Sequence, residues 1–478
     1  MIIKKDPSTI QSYLEDSSNL KGGYAEKIVI PETIEEISSI LKEANSKKTQ
    51  VTISGGGTGQ AGGRVPFGGI LLSLERLNSI KEIKKLKSGG SACLEAGVLI
   101  EDLKTACEKE GFCYSYDPTE QTAFIGGTIA TNAKGARSFK YGSTRVHVRA
   151  LELVLADGTI FYLKRGEIFS KGRLFEFEID KRKFTIKLPA YKMPDIKNSS
   201  GYYAKDNMDL VDLFIGQEGT LAVIAACEVA LLEKPSGFFS CFVFFRTEIE
   251  ALNFAEDISS LGPISIEYFD QNALGLLGDK YHNLPRKTIS AIFFEEIDTG
   301  NEFDLMEKWD KILSKHDVSS EDTWAAVSSA TQKEFLEMRH YIPEKMSEMA
   351  KRSGFQKVST DLAVPKDKFR EMFQYYKEML EKSGLKYFIF GHIGDFHLHV
   401  NMLPASGEDY KQARKLQLEF VKKSIFLGGT VTAEHGIGKT KKELLKLLYG
   451  EDGIAEMRQV KRVLDPNMIL GRGNIFDI

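Results

Sequence analysis

The stretch FGHIGDFHLHVN, residues 390–401, holds three of the chain's eight histidines: His392, His397 and His399. Read at a period of two, FHLHVNML (396–403) is a strand with His397, His399 and Asn401 on one face. YFIF (387–390) is the strand before it and Gly394-Asp395 a turn, so His392 sits across the hairpin and can meet one of the paired histidines. Two imidazoles with a carboxylate form a common ligand set for a divalent metal that keeps a position open for substrate. An H-x-H pair alone is as readily a solvated polar surface. The candidate carboxylate lies in GGTVTAEHGIGKTKK (428–442), where Glu434 and His435 fall between an apolar strand start and a Gly-Ile-Gly loop that opens a lysine-rich helix. Adjacent side chains point different ways, so Glu434 can ligate a metal while His435 faces a substrate as a base.

Three glycine-rich segments suggest a second kind of site. In GGGTGQAGG (55–63), the run from Gly57 to Gly62 formally matches the dinucleotide fingerprint G-x-G-x-x-G. That fingerprint needs a helix directly afterwards. Here RVPFGG (64–69) and the apolar strand ILLSL (70–74) follow, and Pro66 with two glycines argues against a helix, which excludes a Rossmann domain. A glycine loop between strands either cradles phosphate through successive backbone N–H groups or is a plain surface loop. The second segment, 117–142, has little side-chain bulk from Gly126 to Gly135, which suits close approach to a large flat ligand or tight packing of strand against helix. The third, DLFIGQEGTLAVI (212–224), leads into another strand.

The elements that must position these residues change character near Lys234-Pro235. Before it, KIVI (27–30), a helix from Ile34 to Ala44 with a capping box at Thr33 and Glu36, and VTIS (51–54) make a βαβ-like start. Residues 148–163 read as two strands joined at Asp157-Gly158. After it, strands at 239–246, 264–269 and 289–294 alternate with amphipathic helices at 365–383 and 408–426, the pattern of a separate α+β domain with an antiparallel sheet. The chain of 478 residues is long enough for two to three domains. With 27% charged residues and net charge −3, it offers no basic stripe for nucleic acid. The longest apolar run, 221–232, is too short to span a bilayer, and the N-terminus lacks the apolar core of a secretory signal, so the expected location is cytoplasmic. Five cysteines without a C-x-x-C suit a reducing compartment and leave no ligand set for an iron–sulfur cluster.

The segments 55–80, 124–135 with 141–158, 200–224, 391–401, 432–441 and 465–476, in that order, resemble the successive motifs of one family. It is the FAD-dependent D-lactate dehydrogenase, D-2-hydroxyglutarate dehydrogenase and glycolate oxidase family, a vanillyl-alcohol-oxidase type of flavoprotein. The resemblance implies an α+β protein: a two-part α/β FAD domain (1–234), a cap domain with an antiparallel sheet and the substrate and metal site (235–440), and a helical segment (441–478) returning to the FAD domain. It implies that Ser54, Gly55, Gly56, Gly57, Thr58 and Gly59 wrap the FAD pyrophosphate. Pro118, Gly126, Gly127, Thr128, Asn132 and Gly135 would line the adenosine and flavin, with Glu218, Gly219 and Ile224 nearby. The first loop has no histidine, so the FAD is expected to be non-covalent. By the same resemblance His392, His399 and Glu434 would bind a divalent zinc, manganese or iron, His435 would be the base, and Arg339 would clamp the substrate carboxylate.

The implied reaction is oxidation of a small D-2-hydroxy acid, D-lactate or a close relative, with electrons passed to an acceptor such as a separate iron–sulfur or electron-transfer protein, which could bring the chain to a membrane periphery. The sequence departs from the family pattern at Phe396-His397, where Gly-Asn is usual; His397 is either an additional ligand or a polar rim residue, and the rim is the expectation because the pattern has no ligand there. Ile196 stands where hydroxyglutarate-specific members carry a basic residue, with Lys197 beside it, which weighs against a dicarboxylic substrate. Competing readings are an ether-forming alkylglycerone-phosphate-synthase-like enzyme and an electron-relay subunit.

Overall fold

The structure, a computed structural model, describes all residues except 115–119, 279, 282–283, 299–301 and 327. Near the N-terminus the helix Ile34–Lys47 buries Ile37, Ile40, Leu41 and Ala44, spaced on one face as the sequence requires. It crosses between Lys27–Ile30 and Val51–Ser54, which both pair in parallel with Ile70–Ser73. Thr33 caps this helix by accepting from the Glu36 N–H, but Glu36 accepts from the Glu32 N–H and pairs with the Met1 ammonium, so the expected reciprocal box does not form. No helix follows Ser54; residues 55–69 are irregular, as Pro66 requires.

A second, antiparallel sheet is built on the long strand Val223–Glu233, flanked by Gly90–Glu95 and by the hairpin Val148–Val154/Ile160–Lys164. Beyond Pro235 the chain enters a larger antiparallel sheet. In it Gly237–Phe245, Ser290–Asp298, Ser265–Asp270, Lys386–Gly391 and His397–Leu403 lie side by side. Its face is packed with Phe242, Phe244, Phe269 and Phe293 against Phe335, Met338 and Ile342 of the helix Ser329–Ser353. Each fully buried aromatic of this kind contributes on the order of 1.5–3 kcal/mol, so the platform behind the histidines is rigid.

The expected strand start at 428–433 is absent: the segment is irregular, and its backbone pairs singly with Ala363 and Asp361 rather than with a ladder. The kinked helix Lys442–Leu464 follows. The chain then returns to the first sheet, where Ile469 and Gly471 bond both backbone groups of Val51. Buried Lys461 holds this return by donating to Asp465, Thr220 O and Leu470 O.

Candidate functional site

A cavity of ≈ 370 Å³ opens where the glycine segments meet the larger sheet. Gly55, Gly56, Gly57, Thr58 and Gly59 form one wall, and Gly126, Gly127 and Thr128 continue it, with Glu218, Gly219 and Ile224 behind. At Gly59 and Gly127 an added Cβ would meet no atom of the chain, so both present bare backbone to the cavity. That is the surface a large flat cofactor with a pyrophosphate needs. Ser54, Asn132 and Gly135 do not line it. Ser54 is buried at the strand end, Asn132 terminates a helix at φ +49° with its Oδ1 accepting from the Arg145 N–H, and the Gly135 N–H donates to Ser138 Oγ. Pro118 lies outside the described residues.

At the other end of the same cavity stand Arg339, His392, His399, Glu434 and His435. The hairpin brings His392 across from His399 as its alternation requires: Phe390 pairs with His399, and His392 begins the turn between the strands. Glu434 arrives from the irregular segment and lies between them, 3.4 Å from His392 Nε2 and 3.2 Å from His399 Nε2. His397 is also here. The expectation that it lies on the rim is overturned: it is fully buried, because the short strand Leu362–Ala363 pairs with His397–Leu398 and covers it. Its Nδ1 is 3.9 Å from Glu434 Oε2.

Buried carboxylates that the sequence reading did not single out hold these groups from behind. Glu267 lies 2.6 Å from His392 Nδ1 and 3.1 Å from Arg339 Nε, so one side chain fixes both. Burial disfavours the His392 imidazolium, yet the charges of Glu267 and Glu434 outweigh it and raise the pKa to about 9. Glu267 itself, although buried, is held at about 2 by Arg339 and His392. Asp361 is the second. Its Oδ2 faces His435 Nδ1 at 3.2 Å and Lys441 Nζ at 3.0 Å, accepts from the His435 N–H at 3.0 Å, and bonds the Thr432 hydroxyl. Its Oδ1 lies 3.1 Å from His397 Nε2. Burial opposes its charge, but His435 and Lys441 hold its carboxyl well below the ordinary range.

The only sign of Glu267 in the sequence was a carboxylate inside the apolar run ISIEYF; Asp361 gave none. Lys197 proved to belong to the centre, with its ammonium 3.0 Å from Glu434 Oε2 and 3.3 Å from Asp395 Oδ2. Two more lysines line the cavity. Lys134 donates to Asn198 O and Ser199 Oγ, and burial with the Lys197 charge pushes it down to about 7. Lys357 has no carboxylate within ion-pairing distance among the described residues, and burial lowers its pKa.

One atom from each of His392, His397, His399 and Glu434 lies within 4.8 Å of all the others, a donor set that could hold a divalent cation. His397 Nδ1 is buried without a hydrogen-bond partner, and Glu434 Oε2 makes no hydrogen bond of good geometry, its charge faced by the Lys197 ammonium. A buried lone pair left open beside a carboxylate is costly unless something binds it, and a cation fits. His435, backed by Asp361 at Nδ1, is arranged as a proton acceptor at Nε2.

Comparison with known proteins shows the family. Residues 235–475 match the family model "FAD linked oxidases, C-terminal domain", and residues 25–164 match "FAD binding domain". The chain belongs to the FAD-linked oxidase family. Within that family it is 31% identical to a D-lactate dehydrogenase of Archaeoglobus fulgidus, over 94% of this chain and 90% of that one. It is 28% identical to the glycolate oxidase subunit GlcD of Bacillus subtilis, over 97% and 92%, and 28% identical to a mitochondrial D-2-hydroxyglutarate dehydrogenase of Danio rerio, over 97% and 81%. A solved structure of alkyldihydroxyacetonephosphate synthase covers 98% of this chain and is itself covered to 82%, with a TM-score of 0.65 at 16% identity, a likeness of fold. Two domains of helices and largely antiparallel sheets build the molecule, and no described helix is long and apolar enough to cross a membrane.

Proposed function

We propose that the chain oxidises a D-2-hydroxy acid, D-lactate or a close relative, to the 2-oxo acid. The observation that carries this reading is the placement of His435, backed by Asp361, and of His392, His399 and Glu434 in the same cavity as the bare-backbone glycine loops. FAD, when bound by those loops, would supply the acceptor for the hydrogen and electron pair leaving C2. A divalent cation held by His392, His399 and Glu434 would supply polarisation of the substrate hydroxyl and carboxylate.

The remaining work belongs to the side chains. His435 takes the hydroxyl proton at Nε2, and Asp361 keeps the ring in the tautomer that has its proton on Nδ1. Arg339, anchored by Glu267, receives the carboxylate with a planar, always charged fork. Glu218 accepts from the Ile437 and Gly438 N–H groups at 2.8 and 2.6 Å while lining the cofactor end, so it fixes the His435 loop relative to the glycine wall.

The test is the visible spectrum of FAD- and metal-replete protein under anaerobic conditions, with D-lactate, D-2-hydroxyglutarate, glycolate and L-lactate added separately. Bleaching of the flavin bands by a D-acid and not by L-lactate is expected. Flavin bands that no hydroxy acid bleaches would refute the reading.

A further inference from the structure

The donor set at the cluster is larger than the reading above uses. Ligand atoms about 2.0–2.2 Å from one shared cation stand roughly 3–4 Å from each other. Glu434 meets that spacing with His392 at 3.4 Å and His399 at 3.2 Å, and it meets it equally with His397 Nδ1 at 3.9 Å. The ring of His397 is fully buried, packed edge-on to His399 with centroids 4.5 Å apart. Its two nitrogens are not equivalent. Nε2 also makes no hydrogen bond of good geometry, but Asp361 Oδ1 lies 3.1 Å from it, and a carboxylate on that side favours the ring proton there. Nδ1 is left with a lone pair, no hydrogen-bond partner and no solvent, 3.9 Å from Glu434 Oε2, whose charge is otherwise faced by the Lys197 ammonium at 3.0 Å. A carboxylate behind one nitrogen and an open lone pair on the other is the arrangement that orients an imidazole for a metal. A polar bystander buried this completely would be expected to have both nitrogens satisfied.

We propose that His397 is a fourth protein ligand, so that the centre holds its cation with three imidazoles and one carboxylate. The inference rests on reading the cluster as a metal centre. It has two consequences for the chemistry. One coordination position fewer is left to water, so substrate must engage the cation through the cavity side. The added nitrogen also favours Zn²⁺, Co²⁺ or Fe²⁺ over Mg²⁺ and Ca²⁺, which prefer all-oxygen sets.

The experiment uses the FAD-loaded full chain. X-ray absorption of the Zn²⁺-loaded protein is expected to count three imidazoles, and two in His397→Asn. Affinity for Zn²⁺, measured by competition with a chromophoric chelator, is expected to fall by more than about 100-fold in His397→Asn, beyond the 10–100-fold of a residue that merely supports a ligand. Glu267→Gln, which touches His392 from behind, provides that supporting-residue scale in the same protein. Two imidazoles in the wild-type spectrum would overturn the proposal while leaving the metal centre intact. So would a loss in His397→Asn no larger than that in Glu267→Gln. A wild-type protein that retains no Zn²⁺, Co²⁺, Mn²⁺ or Fe²⁺ would overturn both the proposal and the metal-assisted reading beneath it. The wild-type count stands even if the variant fails to fold.

Discussion

Replacing Asp361 by asparagine is the most searching single change in this molecule. The amide has the same shape, but whichever way it turns, an NH₂ group points at donors. On the Oδ2 side these are Lys441 Nζ, His435 Nδ1, the His435 N–H and the Thr432 hydroxyl; on the Oδ1 side they are His397 Nε2 and the Glu434 N–H. Leaving one buried charge without its partner costs about 3–5 kcal/mol. Because the Asp361 carboxyl titrates well below its ordinary 3.8 in the folded chain, its stabilisation is fully present above the unfolded value and is lost as pH falls through the folded one. The melting temperature of Asp361→Asn should therefore drop at pH 7 and converge on that of the parent in acid. Kinetically, the amide no longer fixes the His435 proton on Nδ1, and where a carboxylate orients a catalytic imidazole this change lowers kcat on the order of 10⁴-fold. Thermal unfolding from pH 8 down to about pH 1–2 and anaerobic stopped-flow reduction of the flavin read the two effects separately. A variant whose flavin is reduced within tenfold of the parent rate, at unchanged KM, would refute the dyad.

Lys134→Met should stabilise the protein at pH 6 by at most roughly 5 kcal/mol, the cost of keeping a proton on a site shifted from 10.5 to about 7. The unfolded chain holds that proton between pH 7 and 10.5 and the folded chain does not, so the gain should shrink as pH rises and vanish near 10.5, which a melting series will show. Arg339→Lys keeps the charge but loses the planar fork, and should raise KM for a hydroxy acid by about 10-fold or more, with a smaller effect on kcat. Lys357→Met removes a cation that has no carboxylate partner among the described residues; if a second negative group of the substrate reaches it, kcat/KM for D-2-hydroxyglutarate should fall about 10-fold while that for D-lactate stays put.

What was legible in the sequence was whatever lies close along the chain. The alternation of His397, His399 and Asn401, the hairpin placing His392, the Glu434-His435 pair and the helix-free glycine loop all follow from spacing and turn chemistry, and the structure has each of them. The groups that set their charges did not show. Glu267 reaches His392 from 125 residues away and Asp361 reaches His435 from 74. Those contacts depend on strand order in the larger sheet and on a single crossing at Ala433, which no local pattern encodes. His397 shows the same limit from the other side. Its face on the strand was readable, but its burial is imposed by Leu362 and Ala363, residues too few to announce a strand.

The return of the chain to its first sheet bears on how the protein is made. Val51, which leads into the first glycine loop, has its backbone groups completed by Ile469 and Gly471, and the backbone of Gly63 and Glu218 is bound by Asn474. During synthesis the early loop therefore waits, with its edge unpaired, until more than 400 further residues have been added. The cofactor end of the cavity cannot reach its final shape before that return is made, so a chain ending before residue 465 should bind no flavin even with both glycine segments intact.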